Sequence, residues 1–396
     1  MKRSTERILT THAGRLDGPP ELMQMTRELM GGKTFERPVM DSAMRTGIDH
    51  VIRKQTEAGI DVISDGEVTK FGFGSLAYYG KRLSGLTTRP LKSGEAPYMA
   101  MQTNERIEFA EFYREMQFLP VPSVRAVCNG PVNYIGHAEI KRDIEMFKSS
   151  LAQTGVQPEE TFMCVLAPGW LEHFFYNEFY PTDEEYLFAL ADAIKHEYKA
   201  VVDAGLILQI DDPALPDTYD MLVPSPPIDE YRKFAAVRVE ALNHALQGLP
   251  EERIRFHICW GSWHGPHTHD LPLKDVVDLM LQVKAGAYSV EAANPRHEHE
   301  WKVWRDVKLP AGKVLIPGVV SHASNVVEHP ELVADRIILY AGLVGRENVI
   351  AGTDCGMGLR VHPQIAWAKL KALSEGAALA TKQLWNNTEA HRARRP

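Results

Sequence analysis

The chain has 396 residues, 44% of them hydrophobic and 24% charged, which is enough apolar material for one large barrel or two ordinary domains. Its formal net charge is -8 and no basic stripe appears, so a nucleic-acid partner is excluded. No apolar run approaches the roughly 18 residues of a membrane span, and the start, MKRSTERILTTH, lacks an apolar signal core.

Four widely spaced cysteines, Cys128, Cys164, Cys259 and Cys355, form no CxxC pair. A disulfide framework is therefore not expected, and a reducing, cytoplasmic setting is.

Strand-like and helical segments alternate along the chain. In order, the strand candidates are Ile8–Ala13, Asp61–Ser64, Val124–Cys128, Phe162–Leu166, Leu206–Ile210, Ile254–Cys259, Ala287–Glu291, Val314–Val319 and Val349–Thr353. Several are unbroken Val/Ile/Leu runs, as expected of parallel strands covered on both faces. Helical periodicity falls at Ser42–Ala58, Asp183–Ala204, Asp229–Gln247, Leu273–Lys284, Pro330–Leu343 and His362–Thr381.

Asp183 reads as an N-cap and Gly205 as the stop of the same helix. EAGIDVI and DAGLILQI repeat one junction of helix, Ala-Gly and strand. The fold class predicted is α/β: one (β/α)8 TIM barrel over residues 1–396, a single catalytic domain. Nine strands are one too many for it, and Phe162–Leu166 is the one marked as surplus. Residues 83–122 break the rhythm as a long insertion, either a lid or an arm to a second copy in a homodimer.

Chemistry-bearing residues collect where the strands end. His257 and Cys259 in RFHICWG are two apart and share one face of a strand. Glu291 in YSVEAANPR and Cys355 in IAGTDCGMG close the strands one and three units further on. Two thiolates, an imidazole and a carboxylate make a four-coordinate set of the kind that holds Zn²⁺. Taken singly, each Cys reads better as a small buried hydrophobe and His257 as a satisfied core histidine; it is the joint placement on one barrel face that favours a metal.

Asp65-Gly66-Glu67 and Asp211-Asp212-Pro213 end two more strands. Glu67 and Asp211 suit the amine or hydroxyl of a small substrate, whereas Asp212 reads equally well as a helix cap. The loop GSWHGPHTHD carries His264, His267 and His269, read as a loop folded over the mouth with imidazoles on backbone carbonyls, against a second metal or a proton relay. His297 and His299 are assigned no role. GxGxxG, GxxxxGK[ST] and GxSxG are absent, which argues against a dinucleotide, a nucleoside triphosphate and a serine hydrolase.

In the order ILTTHAG, DVISDGE, CNGPVN, LQIDDPAL, HICWG, YSVEAA and GTDCG, the chain resembles the cobalamin-independent methionine synthase family. The likeness is closest to short, single-barrel relatives of that enzyme's C-terminal half, a family that includes epoxyalkane:coenzyme M transferase. It implies Zn²⁺ ligation by His257, Cys259, Glu291 and Cys355, and it places Glu67 and Asp211 where the synthase holds the homocysteine amino group. His12, in ILTTHAG, joins them as a substrate-binding candidate.

The synthase pattern Gly-Ser-Phe-Pro is replaced here by Gly14-Arg15-Leu16-Asp17, and Arg15 offers a fixed cation to a carboxylate or sulfonate. A catalytic histidine falls on His322 in GVVSHASN, displaced by about one position, with His264 as the other candidate proton donor. The synthase's N-terminal half, which helps bind its folate, has no counterpart in this chain. The expected activity is zinc-dependent methyl transfer to a small-molecule thiol such as homocysteine. The alternatives are opening of an epoxide or another alkyl donor by coenzyme M or a similar thiol, and a metal-free barrel of the uroporphyrinogen decarboxylase kind.

Overall fold

The computed structural model describes residues 1–70, 75–116, 123–261 and 263–392. Eight parallel strands form one sheet: β1 (Leu9–Thr10), β2 (Val62–Ser64), β3 (Glu160–Leu166), β4 (Ile207–Asp211), β5 (Ile254–Ile258), β6 (Ala287–Val290), β7 (Val314–Val320) and β8 (Ile350–Thr353). Each pairs with its chain neighbours from β2 round to β8, and β8 pairs with β1. Between β1 and β2 the Asp61 amide donates to the Thr10 carbonyl at 3.2 Å and the Thr11 hydroxyl to the Val62 carbonyl at 3.0 Å, so the barrel is nearly closed. This is the (β/α)8 architecture.

The surplus strand is Val124–Cys128, not Phe162–Leu166. Glu160–Leu166 sits between β2 and β4, its last five residues fully covered. Val124–Cys128 instead pairs antiparallel with Leu86–Pro90 and parallel with Tyr176–Asn177 in a three-stranded side sheet. Its physical marker is amphipathy along its length: Val124 is exposed and Arg125 half-buried, so only the second half meets the core. A barrel strand lacks such a wet end.

Helices wrap the barrel as its outer layer. The Asp183–Asp203 helix buries nine residues, Leu187, Leu190 and Ile194 among them. Its cap is Thr182, whose hydroxyl accepts from the Glu185 amide at 3.1 Å, while Asp183 adds negative charge in the first turn. The single helix expected over Leu273–Lys284 is broken into two short turns, Leu273–Asp275 and Val277–Met280. Helices at Pro20–Met30, His137–Thr154, Pro168–Phe174 and Ala214–Met221 were not anticipated.

Of the insertion expected over residues 83–122, residues 117–122 lie outside the described residues. Glu105, on the Asn104–Glu108 helix, accepts from the Thr268 amide at 3.0 Å, and its own amide donates to Asp220 at 3.1 Å. Glu108 meets His269 at 2.6 Å. These contacts pin the segment onto the loop that follows β5, in the manner of a cover. Among the described residues no helix is long and apolar enough to cross a membrane.

Candidate metal centre

The strands deliver their last residues to one face of the barrel. β5 is buried throughout, and its register sets His257 beside Ser289 of β6. The Ser289 hydroxyl holds Nδ1 of His257 at 3.0 Å, while Nε2 of the same ring is buried and without a hydrogen-bond partner. Cys259 follows β5 and Cys355 follows β8, and their sulfurs stand 3.5 Å apart. A disulfide needs about 2.05 Å, and both thiols are free. One ligand atom from each of His257, Cys259 and Cys355 lies within 4.8 Å of the others.

Electrostatics divide the two thiols. Cys355 is held well below the usual thiol range by the hydrogen bond from Cys259, against its burial, and by the facing imidazole of His257. Cys259 is pushed well above it by the same bond and by burial. Cys355 is also the one partly exposed residue of the trio.

Glu291 stands in the next cluster, its carboxylate within 4.8 Å of His322 and Asp354. Its Oε1 accepts from the Trp260 amide and its Oε2 from Asn294, each at 3.2 Å. Three of the four expected ligands thus converge, and the fourth is turned toward its own hydrogen-bond donors. Burial pushes Glu291 well above the carboxylate range, with the charges of Asp354 and Cys355 adding to it. His322 is fully buried with both ring nitrogens unpartnered, and burial lowers it to about 4, so its ring is neutral at pH 7. His264 is exposed and bonds the His322 carbonyl at 3.2 Å.

These residues fit a thiophilic divalent cation. An unpartnered imidazole nitrogen faces two sulfurs, its other nitrogen is fixed by a hydroxyl, and buried carboxylates crowd beside them.

A second group, Glu67, Cys164 and Asp211, gathers at the ends of β2 to β4. Glu67 has φ 55°, and a Cβ on Gly14 would come 2.7 Å from its Oε1, so only glycine lets the β1 loop pass. Lys70, buried, donates to Glu67 at 2.9 Å and to the Cys164 carbonyl at 2.8 Å. Asp211 accepts from Gln209 at 2.6 Å, and burial, with Glu67 nearby, raises it to about 6. Beneath them Arg255 spans the barrel interior, bonding Gln209 and Thr11 and lying 3.8 Å over the Phe162 ring.

His12, at the end of the first strand unit, is buried. Its Nε2 meets Gln55 at 2.7 Å, and burial and Arg255 lower it to about 4. Arg15, on the loop after β1, bonds to the loop that follows Cys355: its carbonyl accepts from the Gly358 amide at 2.9 Å, and its charge acts on Arg360 and Asp17. The Asp212 carbonyl accepts from the Leu215 amide at 3.3 Å, its buried Oδ1 has no hydrogen-bond partner, and burial raises its carboxyl to about 7. His267 and His297 share one oxygen of Asp270, at 2.9 and 2.8 Å.

Sequence reading missed Lys70, Ser289, Arg255 and Asp354. Lys70 was findable three residues after Glu67, and Asp354 as the neighbour of Cys355. Arg255 was not, because a charge inside an apolar run reads as a break.

Fold and site together define a (β/α)8 barrel with an imidazole and two thiols converging beyond the strand C-termini. Residues 176–378 match the family model described as the cobalamin-independent synthase catalytic domain, and the chain belongs to that family. The matched span carries Asp211, His257, Cys259, Glu291, His322 and Cys355. A protein from Saccharolobus solfataricus named methionine synthase is 24% identical over 378 residues, 95% of each chain. One of the same name from Sulfurisphaera tokodaii is 24% identical over 381 residues, covering 95% of this chain and 94% of its own. The solved B12-independent methionine synthase of Shewanella sp. W3-18-1, in complex with selenomethionine, superposes with TM-score 0.71 at 20% identity, over 96% of this chain and 99% of that one.

Proposed function

We propose that this protein is a zinc-dependent methyltransferase whose acceptor is a small thiol such as homocysteine. The observation that carries the reading is the convergence of His257, Cys259 and Cys355, with the buried Nε2 of His257 left without a partner. The curated relatives are named methionine synthase, and methionine is the S-methyl derivative of homocysteine, which supports that thiol as acceptor. We take residues 1–396 as one catalytic domain, since strands from residue 9 to residue 353 share one sheet, and assign it to the cytoplasm, which suits four free cysteines.

His257, Cys259 and Cys355 would hold the ion, with Glu291 as the fourth donor once it leaves Trp260 and Asn294. When bound, zinc supplies the Lewis acidity that lets a substrate thiol shed its proton at neutral pH. The sulfur then forms its bond to the methyl carbon as the donor's bond to that carbon breaks, and the leaving group takes the electron pair. Glu67 and Asp211 orient the acceptor, with Lys70 fixing Glu67. Arg15 presents a cation to its acidic group. His322, neutral and unpartnered, offers one N–H and one lone pair, so it relays a proton and does not store one. His264 ties the β5 loop over it.

The test is turnover of homocysteine with a methyl donor by wild type and Cys355→Ala, with zinc measured on the same samples. The reading requires the variant to lose metal and turnover together. No observation favours epoxide opening over methyl transfer; running coenzyme M and an epoxide beside homocysteine checks it.

A further inference from the structure

We propose that Asp354 is a positioning residue of this centre, tying the strand end that carries Glu291 to the one that carries Cys355. The inference rests on the metal reading above and concerns a side chain that reading does not use. Asp354 immediately precedes Cys355 and is fully buried. Its Oδ1 accepts from the amides of Ala292 and Ala293 at 2.8 and 2.9 Å, the first two amides after Glu291. Its own amide donates to the Val320 carbonyl at 3.0 Å.

One carboxylate thereby links β6 and β8, which do not touch each other because β7 runs between them. The crossing is possible because β7 has glycine at the point of passage. A Cβ on Gly318 would collide with Oδ1, Cα and N of Asp354. The β7–β8 ladder also shifts register between Gly318 and Val320, opening the strand pair where Asp354 begins.

The second carboxylate oxygen is buried without a partner, and the Asp354 carboxylate stands within 4.8 Å of Glu291 and His322. Two amides converging on one carboxylate oxygen make a directional anchor. Glu291 and Cys355 then stand at a separation set by this anchor and not by strand ends that move independently. Outer groups of this kind tune metal affinity by about 10–100-fold.

The experiment compares wild type with Asp354→Ala and Asp354→Asn as full-length proteins. In metal-free protein, hydrogen exchange at the Ala292 and Ala293 amides should be at least about tenfold faster in Asp354→Ala and near wild type in Asp354→Asn, whose carbonyl oxygen can accept both bonds. With cobalt as the probe, Asp354→Ala should bind at least about tenfold more weakly with altered sulfur-to-cobalt absorption, and Asp354→Asn should largely recover. If Asp354→Ala keeps wild-type exchange at both amides, or wild-type cobalt affinity and spectrum, the proposal is overturned. Wild type that takes up no cobalt would sink the metal reading instead, and the exchange comparison would still decide the anchor. Should Asp354→Ala fail to fold, Asp354→Ser, whose hydroxyl stops one bond short of the Oδ1 position, removes the same anchor, and the same readouts apply.

Discussion

The Ser289 hydroxyl lies 3.0 Å from Nδ1 of His257, on residues directly paired in the β5–β6 register. That bond fixes the ring orientation and points the unpartnered Nε2 toward the sulfurs. Ser289→Ala leaves the three donors in place and frees the ring to turn. Metal affinity should fall about 10–100-fold, read by competition with a chromophoric chelator. Unchanged affinity would show that the ring is held by packing alone.

A buried ion cluster stabilises the N-terminal half of the barrel. The Arg82 guanidinium bonds Asp143, lies 3.6 Å from Glu197 and covers the Tyr78 ring. Tyr134 donates to Glu197 at 2.7 Å. Removing the cation strips buried Glu197 of its ion pair and leaves buried Asp143 with Arg142 alone, at 3.2 Å, so Arg82→Ala should cost about 3–5 kcal/mol. Urea unfolding measures it, and a loss below about 1 kcal/mol would contradict the assignment.

The loop after β5 should carry a pH dependence of its own. Burial acts to lower His267, but the hydrogen bond and charge of Asp270 prevail and raise it to about 9. Asp270 is lowered in turn by His267 and His297, against its burial, and His297 is raised by Asp270 and Glu300. An imidazole raised on folding stabilises fully below its unfolded value of about 6.5, and that contribution is lost as pH rises through about 9. The Tm advantage of wild type over His267→Gln should therefore shrink between pH 6.5 and pH 9.5. A constant gap would mean that His267 is neutral in the folded protein.

Arg15 occupies a position where its charge reaches the loop of Cys355. Arg15→Ser should raise KM for a carboxylate-bearing thiol by about tenfold or more with kcat little changed, the pattern of lost ground-state binding. A neutral alkyl thiol should show no such rise. Equal effects on both thiols would assign Arg15 to packing.

Most of this site was legible because strand geometry is simple. Residues two apart share a face, so His257 and Cys259 had to meet, and the βα rhythm carried Cys355 to the same end of the barrel. The side strand Val124–Cys128 was misplaced because five apolar-rich residues look alike in a barrel and in a hairpin; only Arg125 hinted otherwise. Glu291 was placed on the correct strand end, but its carboxylate is turned by the Trp260 backbone amide and the Asn294 side chain, and sequence does not reveal which way such bonds turn it. Asp354 was overlooked for the same reason: its partners are the amides of Ala292 and Ala293.

The most direct test is elemental analysis of the purified protein combined with X-ray absorption at the metal edge. About one zinc per chain, with two sulfur neighbours near 2.3 Å and at least one nitrogen neighbour near 2.0 Å, is the result expected of His257, Cys259 and Cys355. A metal edge without sulfur neighbours, or protein that takes up no zinc when it is supplied, would contradict the account.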